Sequence, residues 1–282
     1  MMDDREKSDS VVVATKPTNK AGQPVAEPVE RRTGTERNTG ECSMCRTQGR
    51  ESVSQAIDRV RQAVKQRKKE KLTALLHHLS VDLLREAFFA LKRDAAPGVD
   101  GLTWAEYGDD LEPRLIDLHG RLHRGAYRAQ PSRRRMIPKP DGRGRPLAVA
   151  ALEDKIVQKA TVAVLNVIYE EEFLGFSYGF RPKRGPHDAL DALIVGISRR
   201  KVNFILDADI RSFFDTVSQS WLVRFLEHRI GDRRIIRLIQ KWLKAGVLED
   251  GIVTSSETRT GQGSVISPLL ANVYLHCVPR TH

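Results

Sequence analysis

The sequence predicts an α+β fold on three observations. Helical periods run through much of residues 53–240, a β-branched apolar run covers 202–210, and Asp-Gly turns at 141–142 and 250–251 sit between short β-prone stretches. Residues 1–52 stand apart. They are rich in Thr, Glu, Arg, Gly and Pro, the first aromatic residue of the chain is Phe88, and a segment with so little to bury is expected to be a disordered polar tail. A helical N-terminal extension over 53–120 and a mixed domain over 121–282 follow, the latter divided near residue 200.

Val53, Ile57, Val60 and Val64 recur at helical spacing and lead into the basic run Lys65, Arg67, Lys68 and Lys69, the pattern of an amphipathic basic helix. Ser80 is placed to cap the helix VDLLREAFFALKRD, which stops at Ala-Ala-Pro-Gly. A second helix is expected over 105–124. Residues 121–146 carry nine Arg or Lys against the single acid Asp141, and their prolines and Asp141-Gly142 turn argue for strand and loop. Leu152 to Phe173 is apolar on most of its circumference, as a buried helix is, and Asp188 to Arg200 has the period of another. Val202 to Ile210 is expected to be a mostly buried strand. Trp221, Leu222, Phe225 and Leu226 mark one further helix face and Ile235, Ile236, Ile239 and Trp242 the next. A hairpin is expected over Leu248 to Thr260, then a helix opened by Ser267-Pro268.

The 47 Lys and Arg against 36 Asp and Glu leave a net charge of +11, which attracts polyanions before any specific contact forms. Nucleic acid is the partner class this favours. The first ten residues, MMDDREKSDS, lack the apolar stretch of a secretory signal, and no run approaches the ~20 apolar residues of a membrane span. Three cysteines make no disulfide framework, so a reducing, cytoplasmic setting without membrane partners is expected; Cys42 and Cys45 form a lone C-x-x-C best read as chance spacing.

The stretch FILDADIRSFFD ends an apolar run with Asp207 and Asp209, two acids at the edge of an expected strand. Such carboxylates, with the neighbouring carbonyl, are suited to a hard cation such as Mg²⁺. Phosphoryl transfer with two such ions needs two or three carboxylates to hold them. A D-x-D also serves as a plain turn cap and in some sugar-nucleotide transferases, and both alternatives stay open on these residues alone. Phe213 and Phe214 follow closely enough to floor a nucleotide sugar, at least one being ordinary core. Lys139 and Arg145 offer fixed cations to a triphosphate, and the loop TGQGSVISP lets backbone approach a base, with Gln262 as a donor.

RRRMIPKPDGRGRPL, DKIVQKA, FSYGFRPKRGPHDAL, ILDADIRSFFD and GQGSVISPLLANVYL follow one another as in group II intron reverse transcriptases, the intron-encoded maturases, and APGVDGLTW resembles the segment ahead of their fingers. The resemblance covers about residues 72–278. It implies a right-hand polymerase fold, with fingers at about 121–200 and part of the palm at about 201–282. It implies RNA-directed DNA polymerisation with Mg²⁺, on template or intron RNA, a DNA primer and dNTPs. By position it makes Asp209 the catalytic, metal-binding acid beside the Ile210 carbonyl, leaves Asp207 structural, and makes Phe214 the gate against ribonucleotides. Lys139, Arg145 and Gln262 would hold the incoming nucleotide. Arg133, Arg134, Arg135 and Arg181 would lie along nucleic acid.

The sequence departs from that pattern in places. Ala148 stands where the family usually has Gly after RPL, and Arg259 where a small residue is common. No Tyr-Ala-Asp-Asp motif follows LLANVYL, so the expectation is a truncated polymerase that does not extend a primer by itself, with apolar surface left open at the palm edge. Its alternatives are a non-catalytic RNA-binding remnant and, less favoured, a metal-dependent glycosyltransferase, which leaves the basic fingers and the Gly-Gln-Gly loop unexplained.

Overall fold

A computed structural model describes residues 43–277 apart from 69, 139–141, 143, 211–212, 250–251 and 255–262. The expected polar tail to residue 42, Cys42, Lys139 and Gln262 therefore lie outside the described residues. Ten α-helices and four strands are described: α1 (Ser43–Gln66), α2 (Val81–Phe89), α3 (Trp104–Gly108), α4 (Leu111–His123), β1 (Ser132–Pro138), β2 (Gly144–Val149), α5 (Leu152–Tyr169), α6 (Pro186–Arg199), α7 (Phe213–Thr216), α8 (Gln219–Arg229), α9 (Arg233–Lys244), β3 (Val247–Glu249), β4 (Ile252–Thr254) and α10 (Ser267–Cys277). Helix α1 begins ten residues before the first apolar repeat position, Val53.

The local chemistry sets the helix starts. The Ser80 hydroxyl accepts from the Leu83 amide at 3.2 Å and starts α2, whose Leu83, Leu84, Ala87 and Phe88 are buried at helical spacing. Thr103 and Glu106 form a reciprocal capping box at α3. The first amide of α5 is satisfied from outside the helix: Asp100 in the APGVDG loop accepts from Leu152 N at 3.1 Å. The loop comes so close there that a Cβ on Gly98 would lie 2.5 Å from Ala151 Cα, so only glycine fits.

Helix α5 is the centre of the core. Ile156, Val157, Ala160, Val164, Leu165 and Ile168 are all inaccessible to solvent, with α1 and α2 packed on the helix and α10 against it. Each of these valine, leucine and isoleucine side chains stabilises the fold by roughly 1.5–3 kcal/mol. A second junction joins distant chain. Arg229 is buried and donates to Glu172 and to the carbonyls of Arg67 and Glu70 just beyond α1, while Leu72 N bonds Arg229 O and Gly231 N bonds Leu72 O. Asp232 caps α9 through Arg234 N at 2.9 Å and accepts from Leu76 N at 3.0 Å.

The four strands form one sheet in the order β2-β1-β3-β4. β1 and β2 are antiparallel with Arg133 opposite Val149 and Pro138 opposite Gly144, β1 and β3 are parallel, and β3 and β4 make the expected hairpin. Gly142, with φ +78°, occupies the left-handed conformation expected of the β1–β2 turn.

The strand expected over 202–210 does not form. Residues 201–210 take no regular structure, Phe204 and Leu206 are each 92% exposed, and Ile205 and Ile210 are 64% and 54% exposed. A strand needs a neighbouring ladder for its amides and carbonyls, and no described strand lies beside this run. Its β-branched composition is correct for a strand, but composition supplies no partner. Helix α6 forms as expected, but it buries none of its residues.

Candidate nucleotide and nucleic-acid site

The basic segment is a hairpin because β1 and β2 pair along their length, which turns alternate side chains to opposite faces. Arg133 and Arg135 are exposed on one face. Arg134, on the other, is half-buried and pairs with Glu249 of β3 at 2.6 Å. The three expected nucleic-acid contacts are therefore not equivalent: two are open to solvent, and one is held by a carboxylate. Arg145 stands opposite Ile137 near the turn.

The turn after Gln262 is seated on this hairpin. Gly263 has φ +108°, and a Cβ there would come within 2.8 Å of Leu147 Cγ and 3.1 Å of the Ala148 carbonyl. Gln158 of α5, itself buried, fixes the next two residues, accepting from Ser264 Oγ at 2.7 Å and Val265 N at 3.1 Å. Hairpin and Gly-rich turn, far apart in sequence, thus share one edge of β2.

Behind that edge lies a cleft of about 140 Å³ lined by Arg134, Leu147, Asp154, Gln158, Trp242 and Ser264. Asp154 is buried in its wall and accepts from the Tyr127 hydroxyl and, at 3.0 Å, from Gln130 N. Trp242 Nε1 donates to the same Tyr127 oxygen at 2.9 Å. Burial pushes the Asp154 carboxyl up to about 6, against the downward pull of its two hydrogen bonds, and burial with the adjacent carboxylate pushes the Tyr127 phenol well up. This network has a signal in the sequence. Asp154, Gln158 and Thr161 fall at i, i+4 and i+7 among the buried apolar residues of α5, a polar stripe that a buried face keeps only where each group finds a partner.

Asp207, Asp209 and Ile210 lie in the exposed run before α7. Phe213 packs on the core and meets Tyr274 of α10 edge-to-face at 6.1 Å, and Phe214 is half-buried against Phe213 at 5.4 Å. Among the described residues no three His, Cys, Asp or Glu side chains cluster as a metal site. The oxygens of Asp209 and Ile210 have the chemistry Mg²⁺ prefers. Their number does not make a site.

Arg181, expected along the template path, is buried. Its side chain is 2% exposed, and its guanidinium donates to Glu170 at 2.8 Å and to the carbonyls of Leu174 and Ser177 at 2.8 and 2.9 Å, with its plane 5.1 Å from the Phe173 ring centroid. It ties the 170–177 turn to the SYGFRP loop. These contacts occupy four of the five guanidinium N–H donors.

The family model for reverse transcriptase (RNA-dependent DNA polymerase) matches residues 137–281. Protein YkfC of Escherichia coli strain K12 is 37% identical over 183 residues, covering 64% of this chain and 48% of that protein. Group II intron-encoded protein LtrA of Lactococcus lactis subsp. cremoris is 36% identical over 166 residues, 58% of this chain and 27% of LtrA. An uncharacterized 91 kDa protein in the cob intron of Schizosaccharomyces pombe is 34% identical over 202 residues, 70% of this chain and 24% of that protein. The chain thus spans about half or less of the length of these relatives.

Proposed function

The chain belongs to the reverse transcriptase family, in its group II intron-encoded branch, and from that premise we propose that it carries the nucleotide-gripping and RNA-handling part of an RNA-directed DNA polymerase. One observation carries this reading: the Gly263 turn is seated on Leu147 and Ala148 of the arginine-rich hairpin and pinned by Gln158. A backbone able to approach a base, next to a hairpin rich in arginine, supports this reading. In this reading Lys139, Arg145 and Gln262 face the incoming dNTP, Phe214 gates its sugar, and Arg133 and Arg135 meet the template or intron RNA. The primer is DNA.

Reverse transcriptases generally use Mg²⁺, and Asp209 with the Ile210 carbonyl is our candidate contribution to holding it. The described residues do not complete a metal centre. That observation favours a second reading, a chain that holds RNA without polymerising. Nothing in the described geometry favours the sugar-nucleotide transferase.

Primer extension on an RNA template with dNTPs and Mg²⁺, run beside RNA-binding titrations, separates them. Extension by the chain that falls at least about 100-fold in Asp209→Asn, some 2.7 kcal/mol of transition-state stabilisation, supports the polymerase. RNA binding without extension by either protein supports the second reading. Neither binding nor extension would sink both.

A further inference from the structure

Helix α9, RRIIRLIQKWLK, divides its residues by face. Ile235, Ile236, Leu238 and Ile239 are buried, and Trp242 and Leu243 turn toward the cleft. Arg233, Arg237, Lys241 and Lys244 follow at spacings of four, four and three, which puts them on one stripe, with Arg233, Arg237 and Lys244 exposed and Lys241 half-buried. The stripe is about 16 Å long and offers a cation roughly every 6 Å along the axis, close to the repeat of successive phosphates on a strand. Helix α9 contains no acid, and the one beside it, Asp232, is buried and spent on capping and on Arg234. Arg233, Arg237 and Lys244 are exposed, and among the described residues none of the three is paired with a carboxylate within 4 Å.

The surface extends beyond the helix. Lys241 Nζ donates to the carbonyls of Gly125 and Tyr127, which brings the turn carrying exposed Arg124 and Arg128 alongside. At the far end, Gly246 O accepts from Ser132 N at 3.0 Å, so the stripe finishes beside the start of β1, next to Arg133. The cations continue from one element to the next.

We propose that this outer face of α9, with Arg124 and Arg128, docks the phosphate backbone of base-paired RNA, as a surface separate from the nucleotide cleft. The proposal rests on the reading that the chain handles RNA. A duplex fits better than an unpaired strand, because the one aromatic of α9, Trp242, turns inward to Tyr127 and gives bases nothing to stack on. A lipid surface fits worse, because the apolar face that would enter a bilayer is already buried in the core.

The test measures binding of the whole chain to a fluorescein-labelled RNA hairpin of arbitrary sequence across a salt series. The variants are Arg233→Gln/Arg237→Gln/Lys244→Gln, its charge-keeping counterpart Arg233→Lys/Arg237→Lys, and Arg133→Gln/Arg135→Gln, each with its unfolding midpoint. Loss of three phosphate contacts is expected to weaken hairpin binding by roughly 10-fold or more and to flatten the salt slope by about 2–3, with the midpoint unchanged and the lysine variant binding as the parent does. Unchanged affinity and slope in the triple variant, with loss only in Arg133→Gln/Arg135→Gln, overturns the α9 surface and leaves RNA handling intact. A loss confined to single-stranded RNA, or to vesicles of anionic phospholipid, also overturns it. A parent chain that binds no RNA overturns both.

Discussion

Asp154 is the residue whose environment most changes its chemistry. Enclosed beside Tyr127, its carboxyl is pushed up to about 6, above the ordinary ~3.9 of an aspartate. Below about pH 4 it is protonated whether the chain is folded or not. Between about 4 and 6 the unfolded chain ionises first, so stability falls as pH rises and levels off above 6, a loss of about 2–3 kcal/mol. Asp154→Asn cannot ionise. The stability difference between parent and variant, from urea unfolding at pH 4.5 and 7.5, is therefore expected to move by about 2 kcal/mol in the variant's favour at the higher pH; a constant difference would refute the shift. His78 works the other way: burial, then His77 and Arg59, lower it to about 4, so its contribution falls away as pH drops below ~6.5. At this scale the sequence is a partial guide. It marks Asp154 and Gln158 as polar intruders on a buried helix, but it cannot name Tyr127 or Ser264 as their partners, because those pairings are made by tertiary packing.

Among the elements, α9 and the α5 start show how a cap can serve two parts of the chain. Burial works to raise the Asp232 carboxyl, but hydrogen bonds from Arg234 and from the Leu76 and Arg234 amides hold it below the usual range. Asp232→Ala removes the α9 cap and leaves Leu76 N without its acceptor. A loss of about 2–4 kcal/mol is expected in urea unfolding, against about 1 kcal/mol if Asp232 were only a surface cap. Helices with a strong apolar period were legible from the residues: α2 with Ser80, the buried face of α5, and α9. The run at 202–210 was not, because a strand is a property of two chain segments and periodicity reports on one. Arg181 shows the same dependence on tertiary packing. A motif position suggests a contact with RNA, while Glu170 and two carbonyls, all within a dozen residues, claim the guanidinium first.

For the molecule as a whole, apolar surface is concentrated on α6 and the run that follows it. Leu193, Ile194, Phe204 and Leu206 are at least half exposed. Substituting Phe204→Ser and Leu206→Ser removes no described core contact. Thermal unfolding is expected to change by less than about 0.5 kcal/mol, while the concentration at which the chain aggregates rises severalfold. A large loss of stability would show that these side chains are covered in solution.

The clip made by Arg229 and Asp232 also fixes an order of events during synthesis. Residues 67–76 leave the ribosome first, and the groups that satisfy their carbonyls and amides are encoded some 156 positions later. At ~5–20 residues per second, that interval is about 8–30 s. For that time the chain end that follows α1 stands without the partners that close it, and its carbonyls and amides are left to water.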